Sequence, residues 1–161
     1  MVIMNEYCAA RRKNMLMRPT DNHIIYSTAF AVAEREVCVF TGDRDQQYGD
    51  DFAAAAQLFL SNPQHRLRVA CQCGNDIANC PIIKRIAEHH AGSLIVYDAS
   101  RYAGEAPYFL TLDDTGYRLE ASGTSFVNYG DAVTNKHLRD QYERIAKNSE
   151  ILIQMEAATL Q

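Results

Sequence analysis

Apolar residues recur along this chain in two alternating periods, one of helices and one of strands. Asp21 is placed to cap a helix in which Ile25, Ala29, Val32 and Ala33 share a face, with its end near Glu36. Val37 to Phe40 is a short unbroken apolar run, the pattern of a buried strand, and Gly42 ends it. Phe52, Ala55, Ala56 and Phe59 mark a second amphipathic helix, stopped by Asn62-Pro63. Leu67 to Cys71 predicts a second strand leading into a Gly74-Asn75-Asp76 loop. Pro81 suits the first turn of a third helix, because its missing N–H has no partner there to lose. Ile82, Ile83, Ile86, Ala87 and His90 form its inner stripe, Gly92 is the expected cap, and Ser93 to Tyr97 is the third strand.

Helices and strands alternating in this way favour parallel strands joined by right-handed crossovers. The pattern then changes. Tyr108 to Leu112 and Tyr117 to Glu120 flank Asp113-Asp114-Thr115-Gly116, a hairpin turn, and Ser125 to Tyr129 is a further short strand. Asp131 opens a long final helix with Leu138, Tyr142, Ile145 and Ser149 along one side. Lys136, Asp140 and Arg144 follow at four-residue spacing on the other. The expected fold is α/β, a mixed central sheet flanked by helices. Residues 1–20 read as an arm or extension, 21–150 as one domain, and 151–161 as an apolar tail without a clear cap.

A chain of 161 residues, 47% hydrophobic, holds enough apolar material for one core and little for two. Its net charge of -4 works against the broad basic field that non-specific nucleic-acid binding needs, so nucleic acid is not the favoured partner. Five cysteines cannot all pair, which fits a reducing, cytoplasmic setting better than a disulfide framework. The basic residues Arg11, Arg12 and Lys13 follow the first apolar residues and do not precede them, the reverse of a secretory signal. No apolar run approaches the roughly 20 residues that span a bilayer, so integral membrane association is not expected.

The stretches Tyr108-Phe109-Leu110-Thr111-Leu112-Asp113, Tyr117-Arg118-Leu119-Glu120 and Phe126-Val127-Asn128-Tyr129-Gly130-Asp131 follow the β-α-β-α-β segment. In that setting, over about residues 20–150, the chain resembles one half of the phospholipase D fold. Active members of that superfamily carry a histidine that attacks phosphorus, a lysine two positions later that binds phosphoryl oxygens, and an aspartate five positions after that. With Asp113 on the aspartate, Ala106 stands for the histidine and Tyr108 for the lysine; with Asp114, Pro107 and Phe109 do. The resemblance therefore implies a degenerate, non-catalytic member that serves as a protein-interaction or scaffold module of a bacterial multi-protein system. It also implies a homo-oligomer, because single-motif members pair so that their motifs face each other.

Three groups of residues are candidates for chemistry. Arg118 and Glu120 share a strand face, and with Asp113 and Asn128 they form a candidate polar cluster for a ligand, or a buried network that fixes the hairpin. Cys71, Cys73 and Cys80, with His89 or His90, have the donors for tetrahedral zinc, although C-x-C-x6-C lacks paired C-x2-C knuckles and buried cysteines pack as small apolar groups. No cofactor is otherwise expected. The loops at Asp43-Arg44-Asp45, Gly74-Asn75-Asp76 and Asp98 to Arg101 follow strand C-termini, where open α/β sheets bind ligands, and turn chemistry accounts for the same residues. Two alternatives to the scaffold reading follow: a small-molecule sensor or hydrolytic enzyme using these loops or the Cys/His group, and a nucleic-acid-binding module. The charged face of the final helix and the tail after Ser149 are the expected docking surface for a partner protein.

Overall fold

Three apolar strands bury both of their faces only if something covers each side, and that requirement organises the molecule. The computed structural model describes residues 15–17, 22–41, 50–72, 80–88, 90–102, 104, 108–121 and 124–156. In chain order these form β1 (Met15–Met17), α1 (Asn22–Val32), β2 (Glu36–Thr41), α2 (Asp50–Leu60), β3 (Arg66–Cys71), α3 (Pro81–Glu88) and β4 (Ser93–Asp98). A 3-10 turn at Ser100–Tyr102 leads to β5 (Phe109–Leu112), β6 (Gly116–Ala121), β7 (Thr124–Asn128), α4 (Ala132–Lys147) and β8 (Glu150–Met155). The strands form one sheet in the order β1-β7-β6-β5-β2-β3-β4-β8. β2, β3 and β4 are parallel, as their helical connections require, and the remaining pairs are antiparallel.

Alternation along the strands divides the core in two. Val37, Val39, Leu67, Val69, Leu94, Val96, Leu110 and Leu112 pack on the face covered by α1, α2 and α3. Cys38, Phe40, Ala70, Tyr97 and Phe109 point the other way, against Leu138, Tyr142, Ile145 and Ala146 of α4. Each fully buried large side chain, such as Phe40, Leu67 or Ile83, contributes roughly 1.5–3 kcal/mol of transfer free energy.

The expected strands from β2 to β7 and the four helices are present. Asp21, the expected cap of α1, lies outside the described residues. α1 ends at Val32, short of Glu36, because the N–H groups of Glu34, Arg35 and Glu36 bond to the Asp113 carboxylate and so leave the helical ladder. α3 ends at Glu88, so His90 stands beyond its stripe. Gly92 does not cap it. Its N–H donates to the Leu60 carbonyl at 2.7 Å, and a Cβ there would sit 2.7 Å from the His65 carbonyl oxygen, so the position needs glycine for close packing on the turn after α2. Ser149 lies past the end of α4 and bonds back to the Ile145 carbonyl at 2.7 Å. The sheet also runs past both expected domain limits: β1 comes from the expected arm and pairs with β7, and β8 comes from the expected tail and pairs with β4.

Candidate functional site at the loop end of the sheet

β5 links two chemically different ends of the sheet. At its C-terminal end Asp113 takes a left-handed φ of 46°, a conformation Asp tolerates better than most residues. Its carboxylate accepts the N–H groups of Glu34, Arg35 and Glu36 at 2.8, 2.9 and 2.9 Å, and its own N–H donates to the Glu36 carbonyl at 2.9 Å. Asp114 beside it bridges Arg35 at 2.5 Å and Arg139 of α4 at 2.6 Å. A depression of about 440 Å³ here is lined by Arg35, Arg66 and Arg139, but Glu34, Glu36 and Asp113 line it too. With Arg66 also 3.6 Å from Glu36, the guanidinium charge is matched internally.

The opposite end, where β5 begins at Phe109, is built from a row of side chains across the sheet on the α1–α3 face. Strand register sets Ser125 opposite Glu120, Thr41 opposite Cys71, Cys71 opposite Asp98, and Asp98 opposite Glu150. The Tyr108 carbonyl accepts the Glu120 N–H at 2.9 Å and so brings Tyr108 into the same row. One step deeper the row is Val127, Arg118, Leu110, Val39, Val69, Val96 and Ile153, apolar apart from Arg118. Arg118 is 3% exposed, and its Nη2 donates to Glu120 Oε2 at 3.2 Å. This is the C-terminal edge of the parallel strands, where the fold offers strand ends and loop backbone to a ligand. The described residues of the row supply carboxylates, hydroxyls and one guanidinium, groups that hydrogen-bond a partner; histidine and lysine are not among them.

The four members of the expected polar cluster therefore do not assemble. Arg118 and Glu120 meet. Asn128 pairs in register with Tyr117, which puts it on the α4 face, and its Oδ1 accepts the Gly130 N–H at 2.8 Å. Asp113 is at the far end of β5, consumed by backbone donors. Of the expected zinc donors, Cys71 and Cys80 are buried free thiols within the α1–α3 core, and Cys73 and His89 lie outside the described residues. The Asp43-Arg44-Asp45 and Gly74-Asn75-Asp76 loops lie outside them as well.

A second polar group lies under α4. Arg68, 8% exposed, reaches both carboxylate oxygens of Glu143, Oε2 at 3.1 Å, and donates to the Tyr97 hydroxyl at 3.2 Å. Its guanidinium lies over the rings of Tyr142 and Tyr97, 5.2 and 5.6 Å from their centroids. Burial works against the Arg68 charge, and the hydrogen bonds it donates to Glu143 and Tyr97 help outweigh it. In return the Arg68 hydrogen bond holds the Glu143 carboxyl below its usual range. Cys38 beside them has its thiol pKa pushed up by burial and then by Glu36, so it is an inert packing group. The visible signal in the sequence is Arg66 alternating with Arg68 in a strand, which suggests solvent exposure; only the placement of α4 shows that Arg68 is buried.

The sheet order, the crossover helices and the long helix before the last strand define a phospholipase-D-like fold. Solved structures bear this out. The archaeal chromatin protein TrmBL2, whose structure shows a novel mode of DNA binding, is 12% identical with a TM-score of 0.60 over 87% of this chain and 53% of that one. NucT from Helicobacter pylori is 12% identical with a TM-score of 0.57, covering 85% of this chain and 97% of NucT. Nuc from Salmonella typhimurium, a phospholipase D family member, is 7% identical with a TM-score of 0.59, covering 89% and 98%. This chain thus spans about half the length of TrmBL2 and nearly all of the two Nuc proteins. No family model matches the sequence, and no curated protein matches it. No helix of the described residues is long and apolar enough to cross a membrane.

Proposed function

We propose that the chain is a phospholipase-D-like domain that binds a macromolecular partner at the loop end of its sheet without hydrolysing a phosphodiester. One observation carries this. When Asp113 takes the place of the motif aspartate, the positions of the nucleophilic histidine and the phosphate-binding lysine hold Ala106 and Tyr108. Asp113 itself stabilises the turn at the other end of β5, so its presence supports the fold and supplies no reactive group. A protein partner, in a scaffold of several components, is the reading favoured by the acidic net charge and by the carboxylates of the row. The buried free thiols Cys38, Cys71 and Cys80 fit a cytoplasmic location for it.

Nucleic acid is the second reading, supported by the DNA-binding chromatin protein among the structural neighbours. The test runs in two stages. The purified chain is incubated with an activated phosphodiester and with single- and double-stranded DNA, and the expected result is no turnover above buffer. Turnover that survives repurification and is lost on substituting Glu120 overturns the non-hydrolytic reading. DNA binding is then measured against salt: a steep fall in affinity assigns nucleic acid as the partner, and no binding at low salt leaves protein.

A further inference from the structure

Small side chains keep the outer seam between α1 and α2 open. Ala31 of α1 and Ala54 and Ala55 of α2 line a groove there of about 550 Å³, with the buried ring of Phe59 among its walls. Leu58 stands at the same groove with 76% of its surface exposed, an apolar side chain that nothing in the fold covers. Small-molecule sites pair mostly apolar walls of this kind with a few polar groups. Three polar side chains line the groove: Ser27, Asp51 and His65. Among the described residues Ser27 and Asp51 make no hydrogen bond or ion pair. The His65 ring stacks on Phe59 with 4.3 Å between centroids, and its Nδ1 lies 2.7 Å from the Phe59 carbonyl oxygen. A carbonyl only accepts, so Nδ1 carries the proton and Nε2 of the neutral ring keeps its lone pair.

We propose that this groove binds a small apolar amine, an alkyl- or arylammonium ion whose hydrocarbon body covers Leu58 and the alanines while its N–H groups meet the polar side chains. Charge and hydrogen-bond capacity select this class. With His65 neutral, Asp51 carries the one formal charge of the lining, a negative one, and the His65 Nε2 and the Ser27 hydroxyl accept hydrogen bonds as well. An ammonium ion supplies the donors and the positive charge that these acceptors lack. A carboxylate or phosphate ligand would set its charge against Asp51 and find a donor only in the Ser27 hydroxyl. A neutral ligand of the same shape would cover the apolar walls and leave Asp51 without a counter-charge. From Asp51 to Leu58 the groove follows α2 for about 10 Å at the helical rise, long enough for an extended hexyl chain. The groove shares no residue with the loop-end row, so the inference goes beyond the binding-module reading and stands independently of it.

The test titrates the isotope-labelled full chain with hexylamine, hexanol and hexanoate at one pH and salt concentration and follows the backbone amide signals by nuclear magnetic resonance. Hexylamine is expected to shift the amides of α1 and α2 around the groove and to saturate. Hexanol binds at the same place about threefold more weakly, the size expected of an exposed charge pair, and hexanoate more weakly still. Asp51→Asn brings hexylamine to the level of hexanol and leaves hexanol unchanged. Ala54→Leu fills the groove from an exposed helix position with a good helix former, and it abolishes binding of both with an unchanged circular-dichroism melt. Should either variant fail to fold, the ranking of the three probes on the wild type decides. Hexanoate that binds as tightly as hexylamine overturns the proposal, and so do hexylamine shifts that never saturate or that spread over the acidic surface away from the groove. A folded Asp51→Asn or Ala54→Leu variant that binds hexylamine as the wild type does overturns it as well.

Discussion

At the turn end of the β5–β6 hairpin the carboxylates are matched internally: Asp113 with three backbone donors, Asp114 with two arginines, and Asp131 with the N–H of Thr134 at 3.0 Å as the cap of α4. At the loop end of the same sheet the order relaxes. Asp98 stands directly opposite Glu150, a like-charge pair across two strands, and Glu120 meets a guanidinium that is almost fully buried. Sheets normally avoid like charges in register. The difference separates an end whose polar groups are matched internally from one that sets like charges in register, and departures from local consistency concentrate where a protein interacts. Asp113 belongs to the first of these ends, where its carboxylate holds the turn.

The largest expected effect tests that assignment. Asp113→Ala removes the acceptor of three N–H groups and puts alanine in a left-handed conformation, so it is expected to cost about 3 kcal/mol in urea unfolding. Asp113→Asn keeps an acceptor and tolerates the same φ, and about 1 kcal/mol is expected. Equal costs for the two would mean that the hydrogen bonds contribute little and that backbone strain dominates.

Legibility in the sequence followed the same division. Strands β2 to β7 were readable because each is a short apolar or alternating run between turn residues, and the cap of α4 because Asp131 precedes its periodic stretch. β8 was not, since Glu150 to Met155 follows a helix directly and carries a register shift that blurs alternation. The polar cluster failed for want of register. Arg118 and Asn128 look alike in sequence, but opposite partners, Val127 for one and Tyr117 for the other, send them to opposite faces. Arg68 escaped notice because a charge in a strand reads as exposed until a helix is known to cover it.

Between the two ends, the Arg68–Glu143 pair tests whether α4 is held by charge or by apolar packing. Glu143→Gln leaves a buried guanidinium with a neutral partner. Glu143 is 59% exposed, so the full cost of breaking a buried pair is discounted to about 2 kcal/mol at neutral pH. Because the Arg68 hydrogen bond lowers the Glu143 pKa, the unfolded chain binds the proton more readily. The pair's stabilisation is present above the unfolded value of 4.5 and is lost as pH falls through the lower folded value. Stability of the wild type relative to Glu143→Gln, measured across the acid range, should shrink in that window. A difference that stays constant there would mean that α4 is held by Leu138, Tyr142 and Ile145 alone.

The smallest expected effect has the opposite sign. Asp98 accepts the Ser100 N–H at 3.0 Å, an interaction that asparagine's carbonyl oxygen reproduces, and it faces Glu150 across the β4–β8 pair. Asp98→Asn therefore keeps the turn and removes a repulsion, and a gain of about 0.5 kcal/mol is expected. A protein that gains stability by losing a carboxylate retains that carboxylate for some other reason, and under the proposed function that reason is contact with a partner. Stability and binding should then move apart: the variant melts higher and holds its partner more weakly. If Asp98→Asn instead loses as much as Asp113→Asn, Asp98 serves the fold, and the contrast between the two ends of the sheet fails at this residue.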